Sequence, residues 1–442
     1  MSNGSPHTAK LCADLAEVRL FQTVGRLQQI TGSTLYAKIL SGRIGELCHL
    51  RDPYSKAQIL AEIIGFSNGH AVLTPMGDIR GLSTKTEVVP LAQFGQIPVS
   101  DDLLGRVIDS FGQPMDGRPP IKSTLFNPIH RSAPDPMQRH VISDPLPCGI
   151  RAIDGFLTCG QGQRIGIYGE AGGGKSTLMS SIVKGCAADV CVIGMIGERG
   201  REVREFVQDH LGPEAMKKSV VVVSTSDRPA GERVMAAFAA TTVAEYFRDQ
   251  GKRVLLLMDS LTRFARAQRE IGLAAGEMPT RRGFPISVFT MLPNLLERAG
   301  PGVTGSITAF YTVLVEGDGT ADPIADETRG ILDGHLILSA KLAAENHYPA
   351  IDIMRSKSRL MNTIAEPDHV KAAGHLRDLM AAYDDISLLV KVGEYTPGAD
   401  PKADEALAKY QKIKAFLKQG TDEFSSFDDT LVALQGIAHE TE

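Results

Sequence analysis

Between residue 22 and about residue 92, apolar positions come in short bursts: Gly25–Ile30, Thr34–Leu40, Gln58–Ile64 and His70–Leu73. Gly, Asn and Asp separate them, and no helix-length amphipathic pattern intervenes. Bursts of this length and spacing predict the strands of a small β-barrel or sandwich. From 93 to 367 the texture changes. Near-continuous apolar runs recur at Arg164–Tyr168, Val190–Ile196, Val220–Thr225, Arg253–Met258 and Ser306–Val315. Helical stretches lie between them, among them Lys175–Ala187, Glu232–Asp249 and Leu261–Ile271. Strands apolar on both faces and alternating with helices imply a parallel sheet covered on both sides. After Pro367 the chain is charged and helix-rich, broken by a turn at Thr396–Pro401. The expected division is a tail over 1–21 with a short helix at Leu11–Phe21, a β-barrel over 22–92, an α/β domain over 93–367, and a helical domain over 368–442.

Composition narrows the functional classes. The chain has 442 residues, 43% of them apolar, which is enough for two or three cores. A formal net charge of −5 offers no bulk attraction to nucleic acid or anionic lipid. The polar start, MSNGSPHTAK, has no apolar segment of a secretory signal, and the densest apolar run, Val254–Met258, is strand-sized. Six scattered cysteines, Cys12, Cys48, Cys148, Cys159, Cys186 and Cys191, show no metal-ligand spacing and read as reduced, buried thiols.

The chemistry concentrates at three places. Gly169-Glu170-Ala171-Gly172-Gly173-Gly174-Lys175-Ser176 fits the phosphate-loop pattern, with an apolar strand before it and a helix from Thr177 after it. Glycines let backbone N–H groups approach phosphate oxygens, and the helix adds its positive end. Lys175 would neutralise the β- and γ-phosphates, and the Ser176 hydroxyl would ligate Mg²⁺. The run Val254–Met258 ends in Asp259, a carboxylate placed to hold the metal's water shell. The strand after the P-loop helix ends in Gly197-Glu198-Arg199-Gly200-Arg201-Glu202. Glu198 should project at the same sheet edge as Lys175, where it could orient water or accept its proton. Arg199 would steady Glu198 or the phosphates. Two weaker patterns are set aside. Gly160-x-Gly162 lacks the third glycine of a dinucleotide fingerprint, and Asp318–Glu327 lacks the Gly and terminal Glu of an EF-hand loop.

From about residue 22 to 442 the sequence resembles the rotary ATPase superfamily, through GEAGGGKST (169–177), GERGRE (197–202), LLLMDSLTRFARAQREI (255–271), GEMPTRRGFP (276–285) and NHYPAIDIMRSKSRLMN (346–362). LLERAG (295–300) and LVEGDGTADPIADETRGILDGH (314–335) resemble its protein-export branch. The tail, KVGEYTPGADPKADEAL (391–407) and FLKQGTDEFSSFDDTL (416–431), is similar to the type III secretion (injectisome) ATPases rather than the flagellar export ATPases, which remain the alternative. The resemblance implies a RecA-like P-loop core and ATP hydrolysis with Mg²⁺ by a homohexamer. It also implies a place on the cytoplasmic face of the inner membrane, where stator and central stalk proteins, chaperones and cargo are partners.

At matching positions the resemblance makes Glu198 the catalytic carboxylate with Arg199 beside it, and Asp259 the Walker B acid. Arg263 would lie near the phosphates, Tyr348 against the adenine, and Arg359 would be an arginine finger reaching the next subunit's nucleotide. Departures are the added glycines at Gly173-Gly174, Leu360 where the family often carries Val, and a start that matches nothing in it. Two other classes compete: a non-catalytic nucleotide-binding ring subunit, against which Glu198 argues, and a hexameric nucleic-acid translocase. The latter should interleave aromatics with Lys and Arg in its N-terminal domain, and residues 22–92 do not.

Overall fold

The structure is a computed structural model; it describes residues 23–54, 58–170, 172–315 and 322–440. Internal contacts divide the chain into two units, with the break between Gly95 and Gln96. Ala171, part of the Asp318–Glu327 run, the Leu11–Phe21 helix and Cys12 lie outside the described residues.

The first unit is a closed six-stranded barrel of β1 (Gly25–Thr31), β2 (Thr34–Lys38), β3 (Glu46–Arg51), β4 (Gln58–Ser67), β5 (His70–Pro75) and β6 (Glu87–Phe94), in the order β1-β2-β5-β4-β3-β6. Leu27, Leu35, Leu50, Ile63, Leu73 and Val88 fill it. The sequence reading found four of these strands and missed β3 and β6. In β3 the inward positions are Glu46, Cys48 and Leu50, so a carboxylate breaks the apolar alternation. Its burial is compensated: Glu46 Oε1 accepts from Ala92 N at 2.7 Å and Oε2 from Arg43 N at 3.0 Å. β6 contains Pro90, a residue that normally argues against a strand.

The second unit is built on a nine-stranded sheet. Its strands are β7 (Arg106–Ile108), β8 (Arg164–Gly169), β9 (Val190–Glu198), β10 (Ser219–Thr225), β11 (Arg253–Asp259), β12 (Ser306–Leu314), β13 (Gly334–Ile337) and β14 (Lys357–Ser358), with Gly300–Pro301 paired to β12. Their order is β14-β13-β8-β12-β11-β9-β10-β7, parallel from β13 to β7. The carboxyl ends of β8, β11 and β9 therefore share one edge. All nine residues of β9 are buried, as expected of a central strand covered on both faces. Helices α1 (Lys175–Gly185), α2 (Ala230–Asp249), α3 (Leu261–Ala274) and α4 (Pro323–Ile331) flank the sheet. The helical region follows as α5 (Pro367–Val392), α6 (Pro401–Leu417) and α7 (Phe427–His439). Among the described residues no helix is long and apolar enough to cross a membrane. The five described cysteines are free and buried.

The LLERAG motif has a packing reason. Arg298, wholly buried, donates to both Glu245 oxygens at 2.9 and 2.7 Å, to Thr242 Oγ1 at 2.8 Å and to Ile129 O at 2.6 Å, tying α2 to the segment between β7 and β8. Its neighbour Glu297 binds Arg164 at 2.6 Å, at the base of the P-loop strand. Removing one partner of such a pair leaves an uncompensated buried charge. Arg298→Met is expected to cost about 3–5 kcal/mol in unfolding free energy, and Arg298→Met with Glu245→Leu to recover much of it. A loss below about 1 kcal/mol in the single variant, measured by denaturant titration, would remove this account.

Candidate active site

Strand β8 delivers the chain to Gly169, and α1 begins at Lys175 behind Gly174, whose φ of 81° is left-handed. Only glycine adopts that conformation without strain, and a Cβ at Gly174 would stand 3.5 Å from Tyr348 Cε1. Lys175 is buried, with Nζ 3.4 Å from Gly169 O. Burial holds its ammonium below the usual lysine range, and the carboxylates of Asp259 and Glu198 oppose that shift. Glu170, Gly172 and Ser176 are exposed, Gly173 is buried and Thr177 half-buried.

Asp259 closes β11 and Glu198 closes β9, in adjacent strands. Burial raises the Asp259 carboxyl above its ordinary range, against the pull of Thr312, Lys175 and Arg263. Ser260 caps α3 by accepting from Arg263 N, which turns Arg263 back toward the sheet edge. Arg263 grips Glu198 with both arms, Nε to Oε1 at 2.8 Å and Nη2 to Oε2 at 3.4 Å. The close approach requires Gly197: its φ is 71°, and a Cβ would lie 3.0 Å from Arg263 Cδ. Glu198 is pushed up to about 7, first by burial and then by Asp259, with Arg263 pulling the other way.

Four groups named from sequence thus meet at one edge: Lys175, Glu198, Asp259 and Arg263. Arg199 does not join them. Its side chain is 72% exposed and donates to Glu202 at 3.2 Å, so the cation on Glu198 is Arg263. Arg359 also stands apart. It follows β14, its backbone N–H donates to Asp333 O, and its guanidinium donates to Arg329 O at 2.9 Å.

Tyr348, exposed at 39%, borders an open pocket with Ile150, Gly174, Thr177, Gln419 and Thr421. Gln419 N donates to Tyr348 O, and Arg151 anchors the same segment through Phe416 O and Gln419 Oε1. The wall that the turn between α6 and α7 gives this pocket was not foreseen, because nothing in its sequence carries a nucleotide motif. An aromatic face over the P-loop suits a purine ring. The oxygen donors Ser176 and Asp259 suit Mg²⁺ rather than a thiophilic metal. Among the described residues no group of three or more His, Cys, Asp or Glu could hold a metal by itself.

Comparison with known proteins gives concordant matches along the chain. The ATP synthase alpha/beta family matches through its beta-barrel domain at residues 27–92 and its nucleotide-binding domain at 149–358. The T3SS EscN ATPase C-terminal domain matches 365–436. A type 3 secretion system ATPase of Sinorhizobium fredii is 57% identical over 92% of this chain and 90% of its own length. A flagellum-specific ATP synthase of Pseudomonas aeruginosa is 46% identical over 93% and 92%. The assembled ATPase EscN in complex with its central stalk EscO, from the enteropathogenic E. coli type III secretion system, superposes with a TM-score of 0.86 at 47% identity, over 94% of this chain and 100% of that one.

Proposed function

The chain belongs to the type 3 secretion system ATPases, within the ATP synthase alpha/beta family, and from that premise and the geometry of its site we propose that it works as a homohexameric ring whose ATP hydrolysis energises protein export, unfolding cargo and releasing it from chaperones. The single observation that carries the catalytic reading is the convergence of Lys175, Asp259 and the Glu198–Arg263 pair at one sheet edge. A binder needs the cation and the metal ligand. A buried carboxylate with a raised pKa, beyond the phosphate loop, serves hydrolysis.

The residues divide the work as follows. Backbone N–H groups of 169–177 and Lys175 hold the phosphates, and Tyr348 faces the adenine. Ser176 and Asp259 would hold Mg²⁺, which when bound neutralises charge on the β- and γ-phosphate oxygens. Glu198 orients water for in-line attack and takes its proton. Arg263 is released from Glu198 as the γ-phosphate arrives, and Arg359 reaches the nucleotide of the adjacent subunit. Arg199, exposed and paired with Glu202, is assigned no part in the chemistry of its own subunit's site.

The assembled EscN with its central stalk supports both the ring and a stalk partner for this chain. We further propose stator contacts, chaperone and cargo contacts through the α5–α7 region, and a site at the cytoplasmic face of the inner membrane. The working domain division is 1–21, 22–92, 93–367 and 368–442, supported by the break after Gly95 and the family spans 27–92, 149–358 and 365–436.

One experiment tests hydrolysis and assembly together. ATPase activity measured against protein concentration, with mass determined in parallel, should show specific activity rising as oligomers form. Lys175→Ala should lose both nucleotide affinity and turnover, since it removes the buried cation of the phosphate loop. Turnover like that of the unaltered chain in Lys175→Ala would overturn the site assignment.

A further inference from the structure

Strand β12 lies between the P-loop strand and the strand that ends in Asp259, and it is buried nearly throughout. Near its carboxyl end stands Thr312, with no exposed surface. A hydroxyl in so dry a place costs free energy unless it is bonded. Its Oγ1 donates to Asp259 Oδ1 at 2.5 Å, with Met258 O farther off at 3.4 Å. A threonine hydroxyl has one proton to give, and the short bond goes to the carboxylate. The register explains the meeting: Met258 pairs with Tyr311, so Asp259 and Thr312 are the next rung of adjacent parallel strands.

Two residues on, β12 grips the same corner a second time. Leu314 N donates to Thr262 Oγ1 at 2.8 Å, and Thr262 sits between Ser260, which caps α3, and Arg263, which holds Glu198. One strand therefore fixes both functional groups of the β11–α3 corner, the carboxylate at its start and the arginine one turn later.

We infer that Thr312 is a positioning residue for Mg²⁺: by holding Oδ1 of Asp259 it fixes the carboxylate plane and leaves Oδ2 to accept from the metal's water shell. The inference deepens the proposed function and rests on Asp259 as the metal-side acid. Losing such an outer partner typically costs about 10–100-fold in metal affinity. A valine would fill the same space as Thr312 without the hydroxyl, so packing alone would favour it. A bond used only to satisfy a buried hydroxyl would be dispensable.

The test uses the full chain and a fluorescent methylanthraniloyl-ATP, titrated with Mg²⁺ present and again with EDTA. Thr312→Val should keep the affinity seen in EDTA and lose about 10–100-fold of the gain that Mg²⁺ provides. The half-saturating Mg²⁺ concentration for turnover should rise in step, and Thr312→Ser should restore both. Asp259→Asn, run in parallel, should lose the Mg²⁺ gain. If Asp259→Asn loses it while Thr312→Val keeps it, the Thr312 inference is wrong and the role of Asp259 stands. If Asp259→Asn keeps it, the metal-side reading of Asp259 fails, and the inference with it. Loss of binding in EDTA by both Thr312→Val and Thr312→Ala would make Thr312 a purely structural residue and overturn the inference.

Discussion

Glu198→Gln is expected to bind ATP about as well as the unaltered chain and to hydrolyse it about 10²–10⁴-fold more slowly, the usual loss when a general base is removed. The substitution keeps the size of the side chain and one acceptor for Arg263. It also takes a negative charge from a site that receives a polyanion, so binding has no electrostatic reason to weaken. Chemistry does, because an amide cannot take the proton of the attacking water. The environment of Glu198 adds a second signature. Burial and the neighbouring Asp259 push its pKa up to about 7. A base works only when deprotonated, so kcat/KM of the unaltered chain should fall with a single proton as pH drops through about 7, while the residual activity of Glu198→Gln stays flat there. Normal turnover in Glu198→Gln alongside a dead Asp259→Asn would mean that the wrong carboxylate carries the reaction.

What the sequence made legible follows from how each residue advertises itself. Asp259 and Glu198 each end an apolar strand, and Lys175 opens the helix after the loop that follows a third, so the strand pattern and the glycine loop together put them at one sheet edge. The glycine spacing around Lys175 has a backbone cause that survives without a structure. Arg199 and Arg263 show where that reasoning stops. Both are cations near acids in the sequence, but only the turn at Gly197 and the cap at Ser260 decide which one faces Glu198. Thr312 was hidden for the opposite reason. One hydroxyl inside a run read as apolar becomes visible only when strand order puts it beside Asp259. Gln419 and Thr421 join the pocket across the fold from Gly174, a juxtaposition with no local pattern. In the barrel, β3 escaped because its buried Glu46 is hydrogen-bonded by the backbone N–H of Ala92, far along the barrel's sequence, as well as by that of nearby Arg43, and the distant partner is one that no window of sequence displays.

Arg359→Ala should leave the ring assembled and nucleotide bound while turnover falls about 10³–10⁵-fold, the range measured for arginine fingers. The geometry gives the reason to expect action in trans. β14 pairs Ser358 with Gly334, and Gly334 pairs with Ile165, so Arg359 leaves the sheet near the amino end of β8. The phosphate loop begins at Gly169, four residues up that strand from Ile165, on the order of 13 Å at about 3.3 Å per residue. The guanidinium is exposed and held by the carbonyl of Arg329 near the end of α4, outside the group formed by Lys175, Glu198, Asp259 and Arg263. In a ring with head-to-tail contacts, a group on one face of each subunit completes the site on the opposite face of the next. An isolated subunit should therefore bind ATP and hydrolyse it poorly, with specific activity rising steeply with concentration. Ground-state binding should survive Arg359→Ala, because a finger acts on charge that develops in the transition state. Mixing Arg359→Ala with Lys175→Ala sharpens the test: some interfaces then join an intact phosphate loop to an intact finger, and activity should rise well above that of either parent ring. A stable monomer with full turnover, indifferent to Arg359→Ala, would show that each site is complete within its own chain.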